Sequence, residues 1–209
     1  KKIKTVIGIS TDKASPPVKN IYGLSKTIME KLFISADKNH KTNFSCVRYG
    51  NVAWSTGSVL PLWDAMFKKN KIIYSTGPYM RRFFFTVDEA VKLVITALEN
   101  IKSFKGKILS REMKSAMMID ILKTWIKMYG GKYKLIENRF GDRNDEFLIG
   151  EAELEFTKKI KLGGIIHYVI DFNKKVNTPL KEIISSSNSK KLNQKEIEFL
   201  IKLKKNYLI

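Results

Sequence analysis

One rhythm constrains what this 209-residue chain can fold into: short β-branched apolar runs alternate with stretches whose apolar residues recur every three or four positions. "KTVIGIS" reads as a buried strand, and Ile21 to about Asp37 as an amphipathic helix with Met29, Leu32, Phe33 and Ala36 on its apolar face. "NFSCVRYGNV" is a second strand, and "GSVLPLWDAMFKK" a helix with Pro61 tolerable only near its start. "KIIYST" and "RRFFFTV" follow as strands, then the helix "VDEAVKLVITALENI", acidic in its first turn. "GKILS", the helix "MMIDILKTWIKMYG" closed by Gly130-Gly131, and "YKLIE" continue the pattern. Such alternation predicts an α/β fold built from parallel β/α units. After about Gly141 the rhythm loosens to a strand "IIHYVI", a polar loop "SSSNSKKLNQ" and a helix "QKEIEFLIKLKKNYL".

Composition narrows the function classes. With 44% hydrophobic and 28% charged residues the chain reads as an ordinary globular protein, and no apolar run approaches the roughly 20 residues of a membrane span. The single cysteine, Cys46, sits in an apolar run, and His40 and His167 lack metal-ligand spacing. No metal site is expected, and a reducing cytoplasm fits. Thirty-nine Lys+Arg against twenty Asp+Glu give a net charge of +19, enough to attract polyanions at low salt. The lysines come in ones and twos without a nucleic-acid motif, so they read as a solvated surface and no specific nucleic-acid partner is expected.

The stretch "GISTDKASPPVKNIYGLSKTIMEKL" carries the chemistry. Tyr22 and Lys26, four apart on a helix, face the same way. An ammonium beside a phenol favours phenolate, a usable base for a substrate hydroxyl. Ser10 or Thr11 could hold the same oxygen. By itself Y-x-x-x-K is common in helices. Asp12 and Lys13 sharpen it, because α/β sheets place active sites at the carboxyl ends of strands. A carboxyl and an amine there suit an elimination, in which one proton leaves carbon while a hydroxyl is protonated and expelled.

"STDKASPPVKNIYGLSK" resembles the extended short-chain dehydrogenase/reductases, specifically nucleotide-sugar 4,6-dehydratases of the CapD-like polysaccharide biosynthesis family. "RYGNVAWSTGSVLPLW", "TGPYMRRFFFTVDEAVKLV", "MKSAMMIDIL" and "RFGDRNDEFLI" match in the same order, so the resemblance covers nearly the whole chain. It implies NAD as cofactor and a UDP-N-acetylhexosamine, UDP-N-acetylglucosamine first, as substrate. Thr11, Asp12, Lys13, Tyr22 and Lys26 would be catalytic: Tyr22 with Lys26 and Thr11 at the C4 hydroxyl, Lys13 at the C5 proton, Asp12 at the C6 hydroxyl. Asp-Lys at these two positions marks the members that invert C5. Tyr49 and Gly50 would lie with Tyr22 and Lys26 at the cofactor, while Asn51, Arg82, Arg139 and Glu146 would meet the substrate. Homo-oligomers are common in the family.

Departures from the family pattern are one additional residue between Lys13 and Tyr22, Thr56 where arginine is common, and "GDRNDE" in place of "GEKxxE". No G-x-G-x-x-G occurs in the chain. The resemblance therefore implies a Rossmann-like parallel sheet lacking its Gly-rich N-terminal half. Residues 1–140 would complete the cofactor-binding domain with interleaved substrate segments, and 141–209 a smaller C-terminal substrate lobe. The 209 residues alone are expected to show little or no turnover. Two rival readings stand: a nucleotide-sugar 4-epimerase, and a non-catalytic module binding acidic polymers through its basic surface.

Overall fold

The computed structural model describes residues 2–137 and 141–203. In chain order its elements are β1 (Thr5–Thr11), α1 (Ile21–Asn39), β2 (Asn43–Tyr49), β3 (Asn51–Val52), α2 (Val59–Asn70), β4 (Ile72–Ser75), β5 (Arg81–Phe85) and α3 (Val87–Glu99). There follow α4 (Ile101–Phe104), β6 (Ile108–Arg111), β7 (Lys114–Met117), α5 (Met118–Tyr129), β8 (Lys132–Leu135), β9 (Phe147–Ile149), β10 (Thr157–Leu162), β11 (Ile165–Ile170), β12 (Ile184–Ser185) and α6 (Gln194–Lys202).

The main sheet runs β1-β2-β6-β11-β10. β1, β2 and β6 are parallel, the arrangement expected of consecutive β/α units, and the β10–β11 hairpin adds antiparallel strands beside β6. This is a Rossmann-like α/β sheet, and it draws strands from both sides of residue 140. A three-stranded sheet, β3-β5-β7, stands beside it, with the small pairs β4-β8 and β12-β9. Two cores result. One packs Val47, Phe83, Leu93, Ile108 and Val169 around the main sheet; the other gathers Trp63, Phe67, Trp125, Ile121 and Leu200 between α2, α5 and α6. Trp63 and Trp125 are thus packing residues.

Helix ends follow local chemistry. Thr86 and Glu89 close a reciprocal capping box on α3, and Gly130 ends α5 with φ of 74°. The expected strand "IIHYVI" is β11, whereas the lysine-rich β10 was missed because Lys158, Lys159 and Lys161, all exposed, interrupt its apolar pattern. The face of α1 also needs correction. Leu32, which the spacing assigned to the core, is 63% exposed, and Glu30 is buried instead.

Glu30 is tolerated there because it is fully paired. Arg48 of β2, buried, donates to Glu30 Oε1 and Oε2 at 2.9 and 2.7 Å, and to Glu153 Oε1 and Oε2 at 2.9 Å each. Replacing Arg48 by Met would leave two carboxylates buried without a cation. The expected loss is about 3–5 kcal/mol of unfolding free energy, read by urea denaturation. A loss below about 1 kcal/mol would show that water reaches this site.

Candidate functional site

β1 delivers Thr11 to the carboxyl edge of the main sheet, where the chain tightens into one 3-10 turn, Asp12–Ala14. Thr11 caps that turn: its hydroxyl donates to Asp12 Oδ1 at 2.9 Å and accepts the Lys13 amide at 3.4 Å. Four side chains fix the segment from outside. Lys26 Nζ donates to the Ile9 carbonyl (2.9 Å), Ser10 Oγ to Glu30 (2.6 Å), Ser15 Oγ to Glu153 (2.8 Å) and Thr27 Oγ1 to the Ala14 carbonyl (2.9 Å). Two of these end on the carboxylates that hold Arg48. Ser10 is therefore engaged with Glu30, and Thr11 is the hydroxyl beside Asp12 and Lys13.

Among the described residues the Lys13 ammonium has three oxygen neighbours. Nζ lies 3.1 Å from Asp12 Oδ1, 3.4 Å from Asn51 Oδ1 and 3.7 Å from Glu146 Oε1. Glu146 Oε1 in turn lies 3.6 Å from Arg82 Nε. Burial pulls the Lys13 pKa down, but Asp12 and then Glu146 push it up by more, so it ends above the ordinary lysine value. Burial and the Asp12 charge raise Glu146 above the usual carboxylate range, against Lys13, Arg82 and Arg143. Asp12 is wholly buried, and its Oδ2 has no hydrogen-bond partner among the described residues.

Two glycines let these pieces approach. A Cβ on Gly23 would stand 2.3 Å from the Lys13 carbonyl oxygen, so only glycine allows the first turn of α1 to rest on the Asp12–Ala14 turn. Asn20 starts that helix, its Oδ1 accepting from the Gly23 amide at 2.8 Å. Through this contact Tyr22 meets Lys13 in one cavity despite the additional residue between them. A Cβ on Gly50 would come within 2.4 Å of Phe83 Cβ and 3.1 Å of Asp12 Oδ2.

The cavity measures about 780 Å³ and is lined by Thr11, Lys13, Tyr22, Lys26, Tyr49, Gly50 and Asn51, with the 55–58 loop and one face of α3. Tyr22 is half exposed, and Lys26 Nζ lies 6.0 Å from its ring centroid. Burial, then the neighbouring Tyr22, raise the Tyr49 phenol. Seven sequence-nominated residues thus share one cavity. Asp12 stands behind Thr11 and Lys13, and Glu146 and Arg82 form a charged chain reaching Lys13. Arg139 lies outside the described residues. What sequence reasoning missed is the Glu30–Arg48–Glu153 support; an arginine inside the apolar run "FSCVRYGNV" was its only signal. No cluster of metal-ligating side chains and no helix long and apolar enough to cross a membrane occurs among the described residues.

A family model described as polysaccharide biosynthesis protein matches residues 1–166. This chain belongs to that family. An uncharacterized membrane protein of Methanocaldococcus jannaschii is 36% identical over 213 residues, covering 96% of this chain and 62% of that protein. A UDP-glucose 4-epimerase of Rickettsia bellii is 33% identical over 215 residues, with the same coverages of 96% and 62%. Among solved structures, Pen from Bacillus thuringiensis superposes with a TM-score of 0.84 at 28% identity, over 99% of this chain and 64% of that one. UDP-glucuronic acid 4-epimerase from Bacillus cereus, in complex with UDP-glucuronic acid and NAD, shares the fold at 20% identity, with a TM-score of 0.62 over 69% and 52%. This family member therefore spans 62% of the length of the two curated relatives.

Lys13 keeps its proton in the resting site. Its raised pKa adds stability that is fully present below the ordinary lysine value of about 10.4 and is lost as pH rises through the folded value. Carbon-13 NMR of the Lys13 ε-carbon is expected to show a midpoint above about 10.4 that falls in Asp12→Asn. A midpoint indifferent to that substitution would contradict the pairing.

Proposed function

We propose that the polypeptide carrying this chain is an NAD-dependent nucleotide-sugar 4,6-dehydratase. Its substrate is a UDP-N-acetylhexosamine, UDP-N-acetylglucosamine first, and its product a 4-keto-6-deoxy sugar nucleotide for surface polysaccharide or glycan synthesis. The observation that carries the reading is Lys13: its ammonium, hydrogen-bonded to Asp12, lines the same cavity as Tyr22 and Lys26. A reaction confined to C4 needs the Tyr–Lys pair but no second acid/base pair.

The cavity suits the nicotinamide end of NAD. A phenol and an ammonium stand on one wall, and Gly50, which Phe83 and Asp12 leave no room for a Cβ, offers bare backbone beside Tyr49. Tyr22, Lys26, Tyr49 and Gly50 are the residues that would hold it. When bound, the cofactor supplies a hydride acceptor for C4 and a donor for C6.

The chain's own residues handle protons. Tyr22 takes the C4 hydroxyl proton, with Thr11 and Lys26 beside it. The 3.1 Å contact between Lys13 and Asp12 gives the acid/base pair a route to its working form. A proton passing from Nζ to the Asp12 carboxyl leaves an amine and a carboxylic acid, a neutral pair that a closed, water-poor site favours over the ion pair. The amine then removes the C5 proton, acidified by the C4 ketone, while Asp12 protonates the departing C6 hydroxyl. Water leaves, Lys13 is again ammonium and Asp12 again carboxylate, so the pair is restored.

A second reading, nucleotide-sugar 4-epimerase, draws support from the name of the Rickettsia bellii relative at 33% identity. The two part at Lys13. Proton NMR would follow UDP-N-acetylglucosamine in D₂O with NAD⁺ and the longest natural polypeptide containing this chain. A C6 methyl signal with deuterium at C5 is expected, falling about 100- to 10,000-fold in Lys13→Ala. C4 inversion without a methyl signal, persisting in Lys13→Ala, would establish the epimerase instead.

A further inference from the structure

The 55–58 loop, one wall of the cavity, follows a residue in an uncommon backbone conformation. Among the described residues, Trp54 and Lys71 are the two non-glycine residues with positive φ, at 64° and 61°. Lys71 ends α2, where a left-handed residue is common. Trp54 ends no helix. It takes the third position of a turn that Ser55 closes, the Ser55 amide donating to the Val52 carbonyl at 3.3 Å and the hydroxyl to the same oxygen at 2.9 Å. Glycine or asparagine suits such a position, and a bulky side chain there is strained.

The indole holds the strained residue in place. Its Nε1 donates to the Leu200 carbonyl in the last turn of α6 at 2.8 Å. Its ring lies 5.9 Å from that of Trp125 on α5, tilted by 37°. The backbone before the turn is fixed as well. Asn51 and Val52 pair with Phe84 and Phe85 of β5, and the Ala53 amide donates to the Phe85 carbonyl at 2.8 Å. Beyond Trp54 the support thins: Thr56 and Gly57 are exposed, and a Cβ on Gly57 would meet nothing within 4 Å. A strained conformation persists only where its surroundings over-determine it, and such positions gather at binding sites.

We propose that Trp54 is a positioning residue: its indole ties the turn to α5 and α6 and so presets the 55–58 wall of the cavity for an incoming nucleotide sugar. The identity of that ligand rests on the proposed function; the tether does not. Thr11, Lys13 and Tyr22 stand on other elements, so losing the tether weakens binding and leaves proton handling alone.

The test compares the longest natural polypeptide containing this chain with two variants. Trp54→Asn suits the left-handed turn but lacks the indole, and Trp54→Phe keeps a ring and loses the N–H. Hydrogen exchange is followed by mass spectrometry over residues 52–59 and over β2. In Trp54→Asn the 52–59 segment is expected to exchange about 10-fold faster, while β2 changes less than about twofold. The KM for UDP-N-acetylglucosamine should rise about 10-fold, because the loop must then be ordered on binding, with kcat kept within about threefold. Trp54→Phe should fall between. Unchanged exchange over 52–59 would overturn the proposal, and so would equal acceleration of β2, which would make Trp54 a stabiliser of the core only. A KM that stays within about twofold would overturn it too. If Trp54→Asn does not fold, Trp54→Phe decides by the same readings. A parent without turnover would count against the proposed function alone, and the exchange of 52–59 against β2 then rules on Trp54.

Discussion

The Arg48 guanidinium, buried between Glu30 and Glu153, is the interaction on which the rest of the site depends. Charges that far from water are tolerable only when every partner is in place, so the three side chains fix one another. Each belongs to a different element: β2, α1 and the 3-10 turn Glu151–Phe156. The same carboxylates also receive Ser10 and Ser15, which flank Thr11, Asp12 and Lys13. An ion network in the core thereby sets where a three-residue turn stands at the sheet edge. Its geometry is then inherited by everything that touches that turn.

Charge at the surface of the site follows a different logic. Lys13 sits among Asp12, Asn51 and Glu146, which keep it an ammonium while the site rests. An ammonium is no base, but one hydrogen bond away stands the carboxylate that can take its proton. Excluding water shifts the balance from two charges toward two neutral groups, and the neutral pair is the one an elimination uses. Closure around substrate would therefore be part of the chemistry as well as of binding.

How much of this was legible in the sequence differs by level. The β/α alternation is written in apolar spacing, because each strand and helix must bury one side, and the cores around Val47 and Trp125 follow from it. The cavity residues were legible because Thr11, Lys13, Tyr22 and Lys26, with Asp12 behind them, fall within one short stretch, and strand ends are where α/β sheets collect chemistry. Leu32 misled, since a periodic pattern cannot tell which side of a helix a buried ion pair will claim. β10 was hidden because a strand interrupted by exposed lysines carries too few apolar residues to alternate visibly.

The central claim is that one cavity both oxidises C4 and eliminates across C5 and C6. Substrate carrying deuterium at C4 tests it most directly, with the longest natural polypeptide containing this chain, NAD⁺, and mass and NMR analysis of the sugar. The account predicts that the label leaves C4 and appears in the C6 methyl group of a 4-keto product. Label retained at C4 of an inverted sugar that keeps its C6 hydroxyl would contradict it.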